Sequence, residues 1–169
     1  MTLMETLYQE HDEIWAFTEQ MTQKCIDLME HNVFDADSFR ADIAYIRTYA
    51  DATHHKKEED LLFRAMLDEL GQVAENLIRH GMLVEHDQAR LYVMELETAV
   101  NAYETDRSPA LKLEILSQAM DYVHLLRRHI EKENGAIYPF AERALSPDTM
   151  QKLEAQFQAE WNHASELSN

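Results

Sequence analysis

The chain has 169 residues, a formal charge of −17, a sequence pI near 4.8 and a single cysteine. That length suits one domain, residues 1–169, with a core of its own. The acidity argues against nucleic acid and anionic membrane surfaces as partners, and Cys25 alone excludes an internal disulfide or a thiolate metal site. No apolar run approaches the ~20 residues of a membrane span. Charges break up the opening "MTLMETLYQEHDEIW" too early for a signal peptide, so a cytoplasmic protein is expected.

Gly and Pro are scarce, with three of each, and good helix formers dominate. In the first helix, about residues 3–30, Leu3, Leu7, Ile14, Phe17, Met21, Cys25 and Leu28 recur at steps of three and four. Asp35 or Asp37 can cap a second helix running to about Asp68, and Gly71 marks the next turn. A third helix is predicted over about 73–104. Ser108-Pro109 is an N-cap followed by a first-turn proline and opens a fourth, to about Leu145, with Gly135 and Pro139 near its end. Ser146-Pro147 opens a fifth, to about Glu166. Long helices joined by short connections predict an all-α, up-down-up-down four-helix bundle over about 3–145, with an additional C-terminal helix over about 147–166.

Two motifs repeat. Glu10-His11-Asp12 returns as Glu85-His86-Asp87, and the step His55/Glu59 returns as His129/Glu133. Each hairpin then offers one His from its first helix and a His-x-x-x-Glu from its second. By the ~1.5 Å rise per residue, these six residues lie at similar depths from one end of the bundle. A step of four puts two side chains on one helix face, and imidazoles with carboxylates from four facing helices build dinuclear sites. Nitrogen and oxygen ligation without thiolate points to iron first, then manganese or zinc.

The pieces "EHDEI", "HHKKEEDLLF", "MLVEHDQAR" and "HIEKENGAIYPFAER", spanning Glu10 to Arg143, resemble the hemerythrin-like, His-His-Glu cation-binding family. The resemblance implies a four-helix bundle around two iron ions, oxo- or hydroxo-bridged, with His11, His55, Glu59, His86, His129 and Glu133 as ligands. Oxygen-carrying hemerythrins have a second His four residues from the first on the third helix, where this chain has Met82 or Arg90. They also have a His and an Asp five apart on the last helix. Four His and two Glu look more like the sensing and iron-handling branches of the family. With four imidazoles and two bridging carboxylates, one open position per ion is expected.

Among the neighbours, Glu58, one turn from His55, is a candidate extra ligand, although a solvated charge is expected, and His54 reads as exposed or as a residue behind the ligands. Asp51, four before His55, can orient an imidazole or form a salt bridge. Met82 and Leu83 should wall the site. Tyr8, Tyr45, Tyr49 and Tyr122 are candidates to hydrogen-bond a bound ligand, although a structural role is expected for each. Trp15 reads as packing, and His31, His80, His124 and His163 lack ligand spacing. The expected function is a non-haem di-iron protein that binds or senses O2, NO or peroxide. The alternatives are an enzyme consuming peroxide or NO, an iron donor for iron–sulfur cluster repair, or a bundle with structural zinc. The expected partner is a small diatomic ligand or peroxide.

Overall fold

The computed structural model describes residues 1–161; the predicted helix end near Glu166 and His163 lie outside the described residues. The described chain is helical, with no strand. Helix α1 (Leu3–His31) opens with a reciprocal Thr2/Glu5 capping box and closes at Asn32, in the left-handed region at φ 54°. Helix α2 (residues 36–69) starts where the Asp35 side chain accepts the amides of Asp37 and Ser38. Helix α3 (residues 71–105) starts at Gly71, whose φ of +63° carries no Cβ penalty. Helix α4 (residues 109–144) begins after the Ser108 cap with Pro109, and α5 (Pro147–Glu160) after the Ser146 cap. These bounds lie within about two residues of the predicted ones wherever the chain is described.

Three of the long helices contain π-helical turns: Ile46–His55 and Glu58–Leu62 in α2, Ile78–Met82 in α3, and Glu133–Ile137 in α4. Their hydrogen bonds step back five residues, as from the Phe63 amide to the Glu58 carbonyl and from the Tyr138 amide to the Glu133 carbonyl. A wide turn changes which residues face inward. In a regular helix, four successive steps of four residues drift by about 160° around the axis. In α2 the wide turns absorb that drift, so Ile46, Ala50, His54, Glu58 and Leu62 are all buried in one stripe.

The apolar core falls into two clusters. One holds Ile14 to Leu28 of α1, Phe39 to Ala50 of α2, Ala89 to Tyr103 of α3 and Ile115 to Ile130 of α4. The other holds Leu3 to Leu7 of α1, Leu61 to Met66 of α2, Ala74 to Met82 of α3, and Ile137 to Leu145, joined by Leu153 and Phe157 of α5. Between them on each long helix lie the buried polar residues: Glu10 and His11; His54, His55, Lys57 and Glu58; His86; and His129 and Glu133. Such a layer is costly unless its groups find partners or a cation. No helix among the described residues is long and apolar enough to cross a membrane.

Candidate metal centre

Two groups of buried ligand atoms share one carboxylate. His55, Glu58, His86 and His129 form the first, and His11, His54, Glu58 and Glu133 the second, with the atoms of each group within 4.8 Å of one another. Glu133 also faces both ways: one oxygen lies 3.1 Å from His11 Nε2 and the other 3.1 Å from His129 Nε2. Five imidazoles and two carboxylates thus converge from four helices.

The outer nitrogen of each imidazole turns toward an acceptor, and all but that of His55 are hydrogen-bonded. His86 Nδ1 lies 2.7 Å from Glu59 Oε1, His129 Nδ1 2.9 Å from Glu85 Oε2, and His54 Nδ1 3.0 Å from Glu10 Oε2. His11 Nδ1 is 2.6 Å from the amide oxygen of Asn134, and His55 Nδ1 faces Asp51 more loosely at 3.5 Å. A carboxylate can only accept, so Nδ1 carries the proton and the Nε2 lone pair points inward. This is the arrangement that orients imidazoles toward a metal and raises their basicity. The carboxylates are themselves held. Lys57 donates to Glu10 and Lys132 to Glu85, while Arg90 reaches both Asp51 at 2.7 Å and Glu59 at 2.8 Å.

The inner atoms, by contrast, lack partners. His54 Nε2, His55 Nε2, Glu58 Oε2 and both Glu133 oxygens are buried without a hydrogen-bond partner, and His86 Nε2 and His129 Nε2 face each other at 3.1 Å. Two inward lone pairs at that distance repel unless a proton or a cation lies between them. The chain without metal uses protons. Burial works against a charged His129, but the charge and hydrogen bond of Glu133, with help from Glu85, push it up to about 10. Burial, with the neighbouring His86, pushes His55 down to about 3, and burial also lowers His54 and His86. Glu58 is pushed well above the carboxylate range by burial and by the charge of Glu133. Glu133 is held well below that range, despite burial, by His129 and His11. Orphaned inner atoms, with four of the five outer nitrogens secured, fit a pair of cations, whose binding would displace these protons.

Five of the six residues singled out by sequence, His11, His55, His86, His129 and Glu133, come together here. The sixth, Glu59, does not face the inner layer. It sits one residue past Glu58, about 100° around the helix, half-buried between His86 Nδ1 and Arg90, and the His86 hydrogen bond holds it down to about 2. Its expected place is taken by Glu58, which is fully buried rather than solvated. His54, expected to be exposed or behind the ligands, is also buried and inside the second group. The expected four imidazoles are therefore five. Asp51 fills both roles considered for it, facing His55 and pairing with Arg90. Met82 is buried. His31, His80 and His124 are exposed. Trp15 lies under the guanidinium of Arg127.

None of the four candidate tyrosines is the one at the centre. Tyr138 is: it donates to Glu58, lies 3.2 Å from His11 Nε2 and stacks on the His11 ring at an interplanar angle of 2°. Tyr49 donates to Glu13 on the surface, and the buried Tyr122 hydroxyl has no partner.

A constant spacing of 75 residues relates the two halves of the site. It pairs Glu10 with Glu85, His11 with His86, His54 with His129, Lys57 with Lys132, Glu58 with Glu133, Glu59 with Asn134 and Phe63 with Tyr138. The contacts repeat as well. In each hairpin the first-helix Glu holds the second-helix His and takes the Lys three residues past that His. Residue 59 or 134 holds the first-helix His of the other hairpin. The aromatic at 63 or 138 stacks on that same His. This spacing was the signal for His54 and Glu58: the Glu-His-Asp repeat is offset by 75, whereas pairing His55 with His129 requires 74.

A family model of the hemerythrin HHE cation-binding domain matches residues 2–141, the part of the chain that carries every residue of both ligand groups. The chain belongs to that family, and its buried His/Glu layer is the candidate for the cation site of such a domain. No curated protein matches the sequence.

Proposed function

We propose that the protein is a non-haem di-iron protein that binds or senses O2, NO or peroxide. The carrying observation is the pair of ligand groups sharing Glu58, with Glu133 facing both. His55, His86 and His129 would hold one ion and His11 and His54 the other, with both carboxylates between them. Two octahedral ions offer about twelve positions. Five imidazoles and four carboxylate oxygens leave about three, and a shared solvent ligand would reduce these to one, on the two-histidine side. That is one fewer than the sequence led us to expect. An iron pair supplies reversible one-electron chemistry and a position for a small ligand. Around it Tyr138 holds a hydroxyl proton toward Glu58, and the two apolar clusters exclude bulk water.

The alternation of the clusters supports an up-down-up-down bundle. Helices α1 and α3 start in the cluster that contains Leu7 and Met82 and end in the other, while α2 and α4 do the reverse. The contact of α5 with the start of α1, where the Leu3 amide donates to Glu154 at 2.9 Å, supports residues 1–169 acting as one unit. We also infer a cytoplasmic protein that uses neither nucleic acid nor an anionic membrane surface, from the −17 charge and the lone cysteine. Consumption of peroxide or NO is the second reading, favoured by the hydroxyl of Tyr138 beside the open side; steady-state turnover with a reductant would separate it. The deciding experiment is metal analysis with an optical spectrum on protein purified without chelators or added metal. Two irons per chain, with a visible spectrum that changes when the reduced form meets O2 or NO, are expected. Stoichiometric zinc and a featureless spectrum would refute the reading.

A further inference from the structure

The 75-residue repeat is broken at a few positions, and the breaks fall on one side. The outer nitrogen of His86 is held by the carboxylate of Glu59, itself clamped by Arg90. The matching atom of His11 is held by Asn134, a neutral amide, at 2.6 Å. The residue matching Arg90 is Trp15, which gives Asn134 no cation. The residue matching His55 is Ile130, an apolar core residue. One side of the centre therefore has three imidazoles, all facing carboxylates. The other has two, one facing a carboxylate and one an amide. A cleft meets each side, one lined by His11, Trp15 and Asn134 and the other by Asp51, His55 and Arg90, so the inequality rests on the ligands and their outer partners.

We infer that the two metal positions are unequal by construction: the His55/His86/His129 position fills first and holds its ion, the His11/His54 position exchanges its ion, and Asn134 is a positioning residue that widens the difference made by the missing third imidazole. This rests on the dinuclear reading above. The chemistry is that of ligand basicity. A carboxylate behind an imidazole stabilises the positive charge that the ring acquires on binding a cation, and an amide does so less. Loss of such an outer partner weakens metal binding by roughly 10–100-fold, and the missing third imidazole acts in the same direction.

The test is a titration of the metal-free full chain with Zn(II) alone against a chromophoric chelator. Two steps are expected, separated by roughly tenfold or more. Asn134→Asp keeps the shape of the side chain and adds the charge, so it should tighten the second step by roughly tenfold and leave the first unchanged. A merely structural role for Asn134 would weaken binding or leave it alone, never tighten one step. Should Asn134→Asp fail to fold, Glu59→Gln is the reciprocal variant and should weaken the first step alone, narrowing the gap. Two equal steps in the natural protein, an unchanged second step in Asn134→Asp, or a weakened second step in Glu59→Gln would overturn the inference while leaving a dinuclear centre standing. Binding of fewer than two ions at saturation would overturn both.

Discussion

In α4, His129 and Glu133 lie one turn apart and Ile130, beside them, packs into the apolar core. In α2 the matching segment holds His54 and Glu58, and the equally buried neighbouring position is a histidine, His55. The same inward position therefore serves packing in one hairpin and offers a ligand atom in the other. An inward helical position is defined by its neighbours, and the chemistry placed there decides whether it adds stability or a ligand. The first hairpin gives up apolar contact at residue 55 and gains a fifth nitrogen. The second keeps the contact and offers one imidazole fewer.

The sharpest way to break this comparison is to treat Glu58 and Glu59 as rivals. Glu58 is shared by both ligand groups, so Glu58→Ala should lose both ions and should melt well below the natural protein. Glu59→Ala removes only a partner behind His86 and should keep two ions at roughly 10–100-fold weaker affinity on the three-histidine side. Metal counts after gel filtration decide between them. Two ions retained in Glu58→Ala, or none in Glu59→Ala, would reverse the roles assigned here.

Removing the metal altogether comes next in size. A ligand present at ~1,000 times its dissociation constant stabilises the native state by about 4 kcal/mol. In a chain of this length each kcal/mol shifts the midpoint by about 2–4 °C. The metal-free protein should therefore melt roughly 10 °C lower by calorimetry; coincident midpoints would mean that the layer is satisfied without a cation.

Legibility differed sharply between the helices and the site. The helix ends were readable because they carry local causes: Asp35, Gly71, Ser108-Pro109 and Ser146-Pro147; the Thr2/Glu5 box of the first helix was not read, and its start came from the apolar periodicity. His11, His86, His129 and Glu133 were readable because no rival stands beside them. The segment His54-His55-Lys56-Lys57-Glu58-Glu59 offers two adjacent His and two adjacent Glu, and a four-residue step fits 54/58 and 55/59 equally well. Wide turns then keep one stripe inward from Ile46 to Leu62, where a regular helix would have rotated it away. Tyr138 was hidden differently. It lies nine residues past His129, and only the repeat connects it with Phe63 and with the ring it covers.

The metal-free form should also lose stability in acid. Burial lowers His54, His55 and His86 in the folded state, His55 to about 3, against about 6.5 in the unfolded chain. Between those values the unfolded chain binds more protons, so stability falls as pH drops below about 6.5. Glu58, raised by burial and by Glu133, works in the opposite direction, but one carboxyl is outnumbered by three imidazoles. Denaturant midpoints of the metal-free protein at pH 6.5 and pH 4.5 check the sign, and a higher midpoint at pH 4.5 would show that Glu58 dominates.

The smallest expected effect separates the two sides most finely. Tyr138 and Phe63 occupy matching positions and differ by one hydroxyl, which donates to Glu58 beside His11. Tyr138→Phe removes that donor and leaves the ring stacked on His11. Hydrogen bonds to charged groups contribute about 1.5–3 kcal/mol, but with metal bound the carboxylate oxygen gains a cation as its partner, so the loss of stability should be at the low end. The effect should instead appear at the centre. Without this donor Glu58 becomes a stronger ligand to both ions, and the reduction potential of the iron pair should fall. Phe63→Tyr places a hydroxyl on the His86 side, where all three imidazoles already face carboxylates, and should shift the potential less. Spectroelectrochemical titration of the two variants measures both shifts. A larger shift in Phe63→Tyr than in Tyr138→Phe would mean that the side holding Tyr138 is not the one that controls the electron.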